Sequence, residues 1–417
     1  MKILFTAPRF HTNQAPVVRG LTAAGHEVRY FVAFTGATED HSCCVPLVLK
    51  PSRTTEREKR ALARTAAEGE TETAFGGHFI PDLPLLEQAF EAYMPDLVIC
   101  REKTNLTLCV HALCVRHGIP CILYDQDPVL RIPGSAGQRP SAGKERTVWE
   151  RLLIRLDRTL NPERRALRVL RETTGFPAVR LSPVEYRLAD RKGNETPVRD
   201  GHTYYVPLVY DAPEEARDRE YMAGGRVNLL FVGKYREYKN IPVLLSALEE
   251  LKDDGRWRLV MAGQAVSGEE KRIRGEARER IARAGLEDRV EMLENVPYAR
   301  MPELYRTGDL LILPSRNEHH GMAIVEAMAH GMAVICSDTC GAAFCAAEAG
   351  SVPVPEGDSH ALARAVRAYL DDPDGLRKAG QDACRYVREH LSFECYRAAL
   401  NALLREEFGP RDGGMPV

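Results

Sequence analysis

The sequence has no excess of charge of either sign, no long apolar run and no paired cysteine motif, and each absence removes a class of protein. Its 57 Lys and Arg against 59 Asp and Glu leave a formal net charge of −2. So weak and mixed a field does not gather polyanions, and nucleic acid is not expected as a partner. No segment approaches the roughly 20 apolar residues that span a bilayer. The opening MKILFTAPRF lacks the apolar region of a secretion signal and reads as a first strand. The 11 cysteines, an odd number, lie singly in apolar segments such as LVIC, LTLCVHALCV and AVIC. Neither a disulfide framework nor a zinc site is signalled, and buried reduced thiols are expected. Repeats and low-complexity segments are missing too. A cytoplasmic protein is expected, and 417 residues are too many for one ordinary core, so two domains are expected as well.

What is present is an alternation of strand and helix. KILFT, QAPVVRGLTAAGH and EVRYFVAF read as strand, helix and strand; PDLVIC (95–100), LTLCVHALCVRHG (106–118) and PCILYDQD (120–127) repeat the pattern. Their strands are continuously apolar, which marks a parallel sheet covered on both faces. The stretch from Val129 to Thr174 is dense in arginine, and its TVWERLLIRLDRTL puts Trp149, Leu152, Leu153, Leu156 and Leu160 on one helical face. It is predicted as helices appended to the first domain. YYVPLVYDAPEEARDREYMAGG (204–225) reads as the linker.

A second series follows. VNLLFVG (227–233), WRLVMAG (257–263), RVEML, LLILPS (310–315) and AVICSD alternate with NIPVLLSALEELKDDG (240–255), the charged GEEKRIRGEARERIARAG, MPELYRTGD and a helix from near Gly321. The fold class is α/β, with two Rossmann-like doubly wound domains facing a cleft. The boundaries expected are 1–208, 209–390 and a C-terminal helix and tail at 391–417.

In open parallel sheets ligands bind beyond the carboxyl ends of strands, which singles out three places in the second domain. FVGKYREYKN ends a strand at Gly233 and flanks the next loop with Lys234 and Lys239, a pair of point charges suited to a diphosphate. Solvated surface lysines are the plain alternative. Gly263 ends another strand, a weaker signal, since any tight turn uses glycine. The third place is SRNEHHGMAIVEAMAHG. Here a helix starts after Gly321, so the amides of Met322 and Ala323 form an anion site without a cationic side chain. Glu318 lies just outside that site and Glu326 about a turn inside the helix. Carboxylates accept hydrogen bonds from vicinal hydroxyls, so the two acids fit an extended ligand with a central diphosphate, a sugar at one end and a ribose at the other. A metal site built from Glu318, His319, His320, Glu326 and His330 is the rival, although HExxH is absent. His330 near the helix end also suits a capping role.

The motifs FVGK…K, VPYARMPELYRTGDLLILPSRNE, the glutamates of NEHHGMAIVE with AMAHGMAVICSD, and GSVPVPEGDSHALARAV run in order through residues 227–370. In this conjunction the second domain resembles that of the retaining GT-B glycosyltransferases of family GT4. The resemblance implies that Lys234 and Lys239 neutralise the donor diphosphate, with the phosphate also on the amides of Met322 and Ala323. It implies that Glu318 contacts the transferred sugar, Glu326 the ribose, and the stretch from Val296 and Pro297 to Tyr298 the base. It places the donor in the second domain and the acceptor in the first, and it has the last helix return to the first domain. His320 replaces a common aromatic and is a candidate sugar contact. Asn240 replaces a glycine. The first domain departs more: PRFHTNQ replaces a glycine pair, and Asp125 and Asp127 stand where a histidine is common. His11 or Asp127 is the candidate replacement, Asp127 equally suiting a turn before Pro128.

The activity implied is transfer of a sugar from a UDP- or GDP-linked donor to an acceptor hydroxyl, with retention and without a metal or other cofactor. The acceptor is a glycan, a lipid-linked sugar or a small molecule. Residues 146–171 offer a basic amphipathic surface for peripheral contact with the inner face of a membrane. The alternative is a helix packed on its own domain. A nucleotide-sugar epimerase, a phosphorylase and a catalytically silent nucleotide-sugar-binding protein are the rival functions.

Overall fold

The computed structural model of the chain describes residues 1–36, 39, 41–62, 78–125, 161–183, 199–217, 219–318 and 320–409. Among these the first of two compact units comprises 1–183, 199–206 and 396–409, and the second 207–395.

The first unit is built on an eight-stranded sheet of order β3-β2-β1-β4-β5-β6-β8-β7. Its strands are β1 (Lys2–Ala7), β2 (Glu27–Val32), β3 (Leu47–Val48), β4 (Leu97–Arg101), β5 (Cys121–Tyr124), β6 (Arg180–Ser182), β7 (Arg199–Asp200) and β8 (Thr203–Tyr205). All pair in parallel except β7 with β8. Every residue of β4 and β5 is buried, as strands covered by helices on both faces require. The Asn105–His117 helix is fixed at one end by Thr104, whose side chain accepts from the Thr107 amide, and at the other by Gly118 at φ 65°. Caps of this kind are each worth about 1 kcal/mol. The Pro162–Thr173 helix buries Leu167 and packs Leu170 against the same core. Its apolar face is thus spent on its own unit, while Arg165, Arg168 and Arg171 are exposed. The remainder of the arginine-rich stretch, Trp149 to Leu160 included, lies outside the described residues. The last helix, Phe393–Phe408, joins the first unit from Tyr396 onward. Tyr204 of β8 donates to Glu407 at 2.7 Å and Glu406 at 3.0 Å, which holds it there.

The second unit carries five parallel strands in the order β11-β10-β9-β12-β13. These are β9 (Val227–Lys234), β10 (Trp257–Gln264), β11 (Val290–Glu294), β12 (Leu310–Leu313) and β13 (Ala333–Cys336). Helices Ile241–Glu249, Gly268–Ala284, Met301–Thr307 and Met322–Ala329 connect them. The central strands β9 and β12 deliver their carboxyl ends to the loops that hold the candidate residues.

The stretch 204–225 is not a free linker. Its start is strand β8, and in its charged part the Arg219 side chain is packed while Glu214, Glu215 and Glu220 are exposed. Arg219 is buried against Asp309 and donates to the carbonyls of His330 (2.7 Å), Arg306 (3.2 Å), Tyr305 and Gly308. One guanidinium therefore serves carbonyls near the C-terminal ends of two helices, where cations are favoured. Among the described residues no helix is long and apolar enough to cross a membrane.

Candidate functional site

Strand β9 runs one residue past Gly233, and a 3-10 turn at Glu237–Lys239 brings the chain back over it. A Cβ at Gly233 would lie 2.9 Å from Lys239 Cε, so the glycine admits the lysine stem. Lys239 is 7% exposed, and its Nζ donates to Glu318 Oε2 at 2.5 Å. Asn240 follows at φ 52°, the left-handed conformation for which the more usual glycine is suited and which asparagine tolerates. The Glu318 loop is fastened on both sides: Arg316 N–H donates to Tyr238 O at 2.6 Å, and Gly341 N–H to Glu318 O at 2.9 Å. Gly321, at φ 86°, then starts the Met322–Ala329 helix without a side-chain cap. An ammonium group and an uncapped helix N-terminus thus flank one carboxylate.

Glu326, inside that helix, is buried and has no cation on it among its recorded partners. Tyr305 OH donates to its Oε2 at 2.5 Å, and Tyr298 OH lies 3.5 Å from Oε1. Burial pushes the Glu326 carboxyl up, and the two phenols only partly oppose that. Tyr210 adds to the cluster, its phenol raised by burial and by the nearby Glu326 charge. His330 stacks on Tyr305 with ring centroids 5.2 Å apart and bonds Glu326 O through Nδ1 at 2.8 Å. A carbonyl only accepts, so Nδ1 carries the proton. His330 is the residue that ends the helix, a structural role.

The structure thus joins Lys239 with Glu318, and Glu326 with the Val296–Tyr298 stretch through Tyr298. Val296 is half-buried and Pro297 exposed. Met322 and Ala323 are half-buried in the first turn of the helix. Lys234, the last residue of β9, is exposed, so the two lysines are not equivalent. Gly263 has a packing cause: an added Cβ would stand 2.0 Å from Cε2 of Tyr235. Gly263→Ala is expected to destabilise the second unit by about 2–3 kcal/mol through overpacking, read as a lower urea midpoint with m unchanged. An unaltered midpoint refutes the packing account. His320 is buried, neither ring nitrogen has a partner, and burial alone lowers it to about 4. Asp127 and His319 lie outside the described residues. Among the described residues no group of three or more His, Cys, Asp or Glu is placed to hold a metal ion. Sequence reasoning missed Tyr210 and Arg219, in the stretch read as linker, and gave no role to Tyr305, which lies within a motif quoted for the resemblance.

This combination, two parallel-sheet α/β units with an anion-ready helix N-terminus and two separately held carboxylates in the second, defines the GT-B class. Solved structures cover nearly the whole chain with that fold. Sucrose-phosphate synthase from Thermosynechococcus elongatus has a TM-score of 0.62 at 18% identity, covering 98% of this chain and 99% of its own. HepE from Anabaena, in complex with UDP-glucose, has a TM-score of 0.64 at 16% identity, with 97% and 99% covered. Residues 214–385, most of the second unit, match the family described as glycosyl transferases group 1. The lipopolysaccharide core mannosyltransferase LpcC of Rhizobium leguminosarum bv. viciae is 32% identical over 206 residues, 48% of this chain and 57% of that protein. D-inositol 3-phosphate glycosyltransferase of Corynebacterium glutamicum (strain R) is 30% identical over 180 residues, 42% of each. The chain spans about half the length of the curated relatives it matches.

Proposed function

We propose that the protein is a retaining glycosyltransferase that moves a sugar from a UDP- or GDP-linked donor to an acceptor hydroxyl. The observation that carries this is the Lys239–Glu318 pair beside the uncapped N-terminus of the Met322–Ala329 helix, inside the segment that matches the glycosyl transferases. Leaving of the diphosphate makes the anomeric carbon cation-like, so stabilising the departing charge is the main catalytic service. Lys239, Lys234 and the helix amides supply positive charge where that oxyanion develops, which is the basis for a metal-independent reaction. Glu318 orients the transferred sugar and Glu326 the ribose. HepE, solved with UDP-glucose, supports a nucleotide-sugar donor, and the mannosyltransferase and the D-inositol 3-phosphate glycosyltransferase support sugar transfer. Peripheral membrane contact is also proposed, resting on the exposed arginines of the Pro162–Thr173 helix and not on its apolar face.

A thermal-shift screen of nucleotides and nucleotide sugars, with and without EDTA, tests the donor. At a hundredfold excess over Kd a ligand adds about 2.7 kcal/mol of stability, a rise of roughly 5–10 °C for a unit of this size. UDP or GDP and a matching sugar conjugate are expected to give that rise in both conditions. No response to any nucleotide overturns the proposal, and a response abolished by EDTA overturns metal independence.

A further inference from the structure

The loop that carries Glu318 bends sharply one residue earlier. Asn317 stands at φ 44°, in the left-handed region that side chains resist and asparagine tolerates best. Its N–H donates to Thr339 Oγ1 at 3.2 Å, in the turn that follows β13. Thr339 in turn donates to Glu356 Oε2 at 2.6 Å. A hydroxyl has one proton, so the bond to Glu356 turns the Thr339 lone pairs toward the Asn317 amide. The short length is that of a charge-assisted bond, which makes the carboxylate the partner that fixes the hydroxyl. Glu356 is itself held: its N–H donates to Asp338 Oδ1 at 3.1 Å, and Asp338 N–H donates to Val354 O at 2.9 Å.

Arg316 Nε also lies 4.0 Å from Glu356 Oε1, but at an exposed position where water screens such a contact. The hydrogen bond through Thr339 is the stronger tie between Glu356 and the loop. Glu318 depends on such ties because its carboxylate has a single hydrogen-bond partner among the described residues, Lys239 at 2.5 Å. A diphosphate that takes Lys239 removes that partner just when the carboxylate must hold the sugar. What then keeps Glu318 in place is the backbone around it. Arg316 N–H is fixed on Tyr238 O and Glu318 O on Gly341 N–H, and between them the Asn317 amide hangs on Thr339.

We propose that Glu356 is a positioning residue for Glu318, acting through the Thr339 hydroxyl on the Asn317 amide. What Glu318 does rests on the glycosyltransferase reading; the anchoring of its loop does not. Thr339→Val keeps the branched shape and removes the hydroxyl, whereas Thr339→Ser keeps the hydroxyl. UDP-glucose and GDP-mannose are the probes, with three readouts on the full chain: nucleotide release at saturation, affinity for UDP and GDP, and hydrogen exchange at the Asn317 amide. In Thr339→Val and in Glu356→Ala, release is expected to fall about tenfold, as the loss of one hydrogen bond would cause. Nucleoside diphosphate affinity stays within about twofold, and the Asn317 amide exchanges at least tenfold faster. Thr339→Ser brings release and exchange back to within about threefold of the wild type. The double variant of Thr339→Val and Glu356→Ala is no slower than either single one, because the two act in series. Unchanged exchange at Asn317, undiminished release, losses that add in the double variant, or nucleotide affinity falling in step with release each overturns the proposal. Release from neither probe by the wild type counts against the transferase reading. Faster exchange at Asn317 in Thr339→Val then still supports the anchoring, and unchanged exchange still overturns it.

Discussion

Lys239→Met is expected to weaken nucleoside diphosphate binding about a hundredfold, whereas Lys234→Met weakens it only a few-fold. Both lysines flank the same loop, but Lys239 is buried over Gly233 and Lys234 is exposed at the end of β9. A hydrogen bond from a partly dehydrated ammonium to a phosphate is worth about 1.5–3 kcal/mol, and screening by water reduces the exposed partner's share. The upper part of that range corresponds to roughly a hundredfold in Kd. Methionine keeps the alkyl stem that lies on Gly233, so the loss is that of the charge. Glu318 supplies an internal contrast. Its carboxylate accepts from Lys239 at 2.5 Å, the place a diphosphate oxygen would take. Glu318→Gln is expected to tighten binding of the free nucleoside diphosphate a few-fold while slowing sugar transfer, because the competitor for Lys239 is gone and the sugar contact with it. Calorimetry on the three variants measures this. Equal losses for the two lysines would mean that burial does not set their contributions.

The same residues show how far a sequence can be read. The parallel strands were legible because strands buried on both faces are continuous apolar runs, and LLIL and AVIC are entirely buried in β12 and β13. The short strands Leu47–Val48, Arg180–Ser182 and Thr203–Tyr205 carry too few residues for any period to show. Glu318 and Lys239 stood out because they lie beside a helix start and a strand end, where open parallel sheets bind ligands. Their direct pairing was not foreseen, since it depends on a turn folding the lysine back over Gly233. Gly263 was a visible signal, but its packing partner was not. Its neighbour is the ring of Tyr235, 28 residues earlier, and no spacing rule reports such a contact. The tyrosines around Glu326 come from positions 210, 298 and 305, and a tyrosine in a linker or short helix has no signature of its own. Arg219 was hidden likewise, because a buried arginine among charged neighbours looks like any solvated one.

Glu326→Gln is expected to do two opposite things at neutral pH, stabilising the fold and weakening the nucleotide by about 10–100-fold. Burial raises the Glu326 carboxyl above its unfolded value of 4.5, with the phenols of Tyr305 and Tyr298 opposing. The folded protein therefore holds the proton more tightly than the unfolded chain. The protonated group's advantage is fully present below pH 4.5 and is lost as pH rises through the folded value. Glutamine, never ionised, avoids that loss, so the variant's gain in Tm appears at neutral pH and vanishes in acid. Ligand binding has the reverse sign. A ribose diol donates to an ionised carboxylate, and charge-assisted hydrogen bonds are worth about 1.5–3 kcal/mol, so affinity falls as Glu326 protonates. In Glu326→Gln that pH dependence disappears. Tyr305→Phe removes the hydrogen bond at 2.5 Å that favours the ionised form, so the acidic fall in affinity moves toward neutral pH. A 2′,3′-dideoxynucleotide, lacking the diol, should bind wild type and Glu326→Gln alike. If the dideoxy compound loses as much affinity on substitution as the ribonucleotide does, Glu326 acts on the shape of the pocket and not on the ribose.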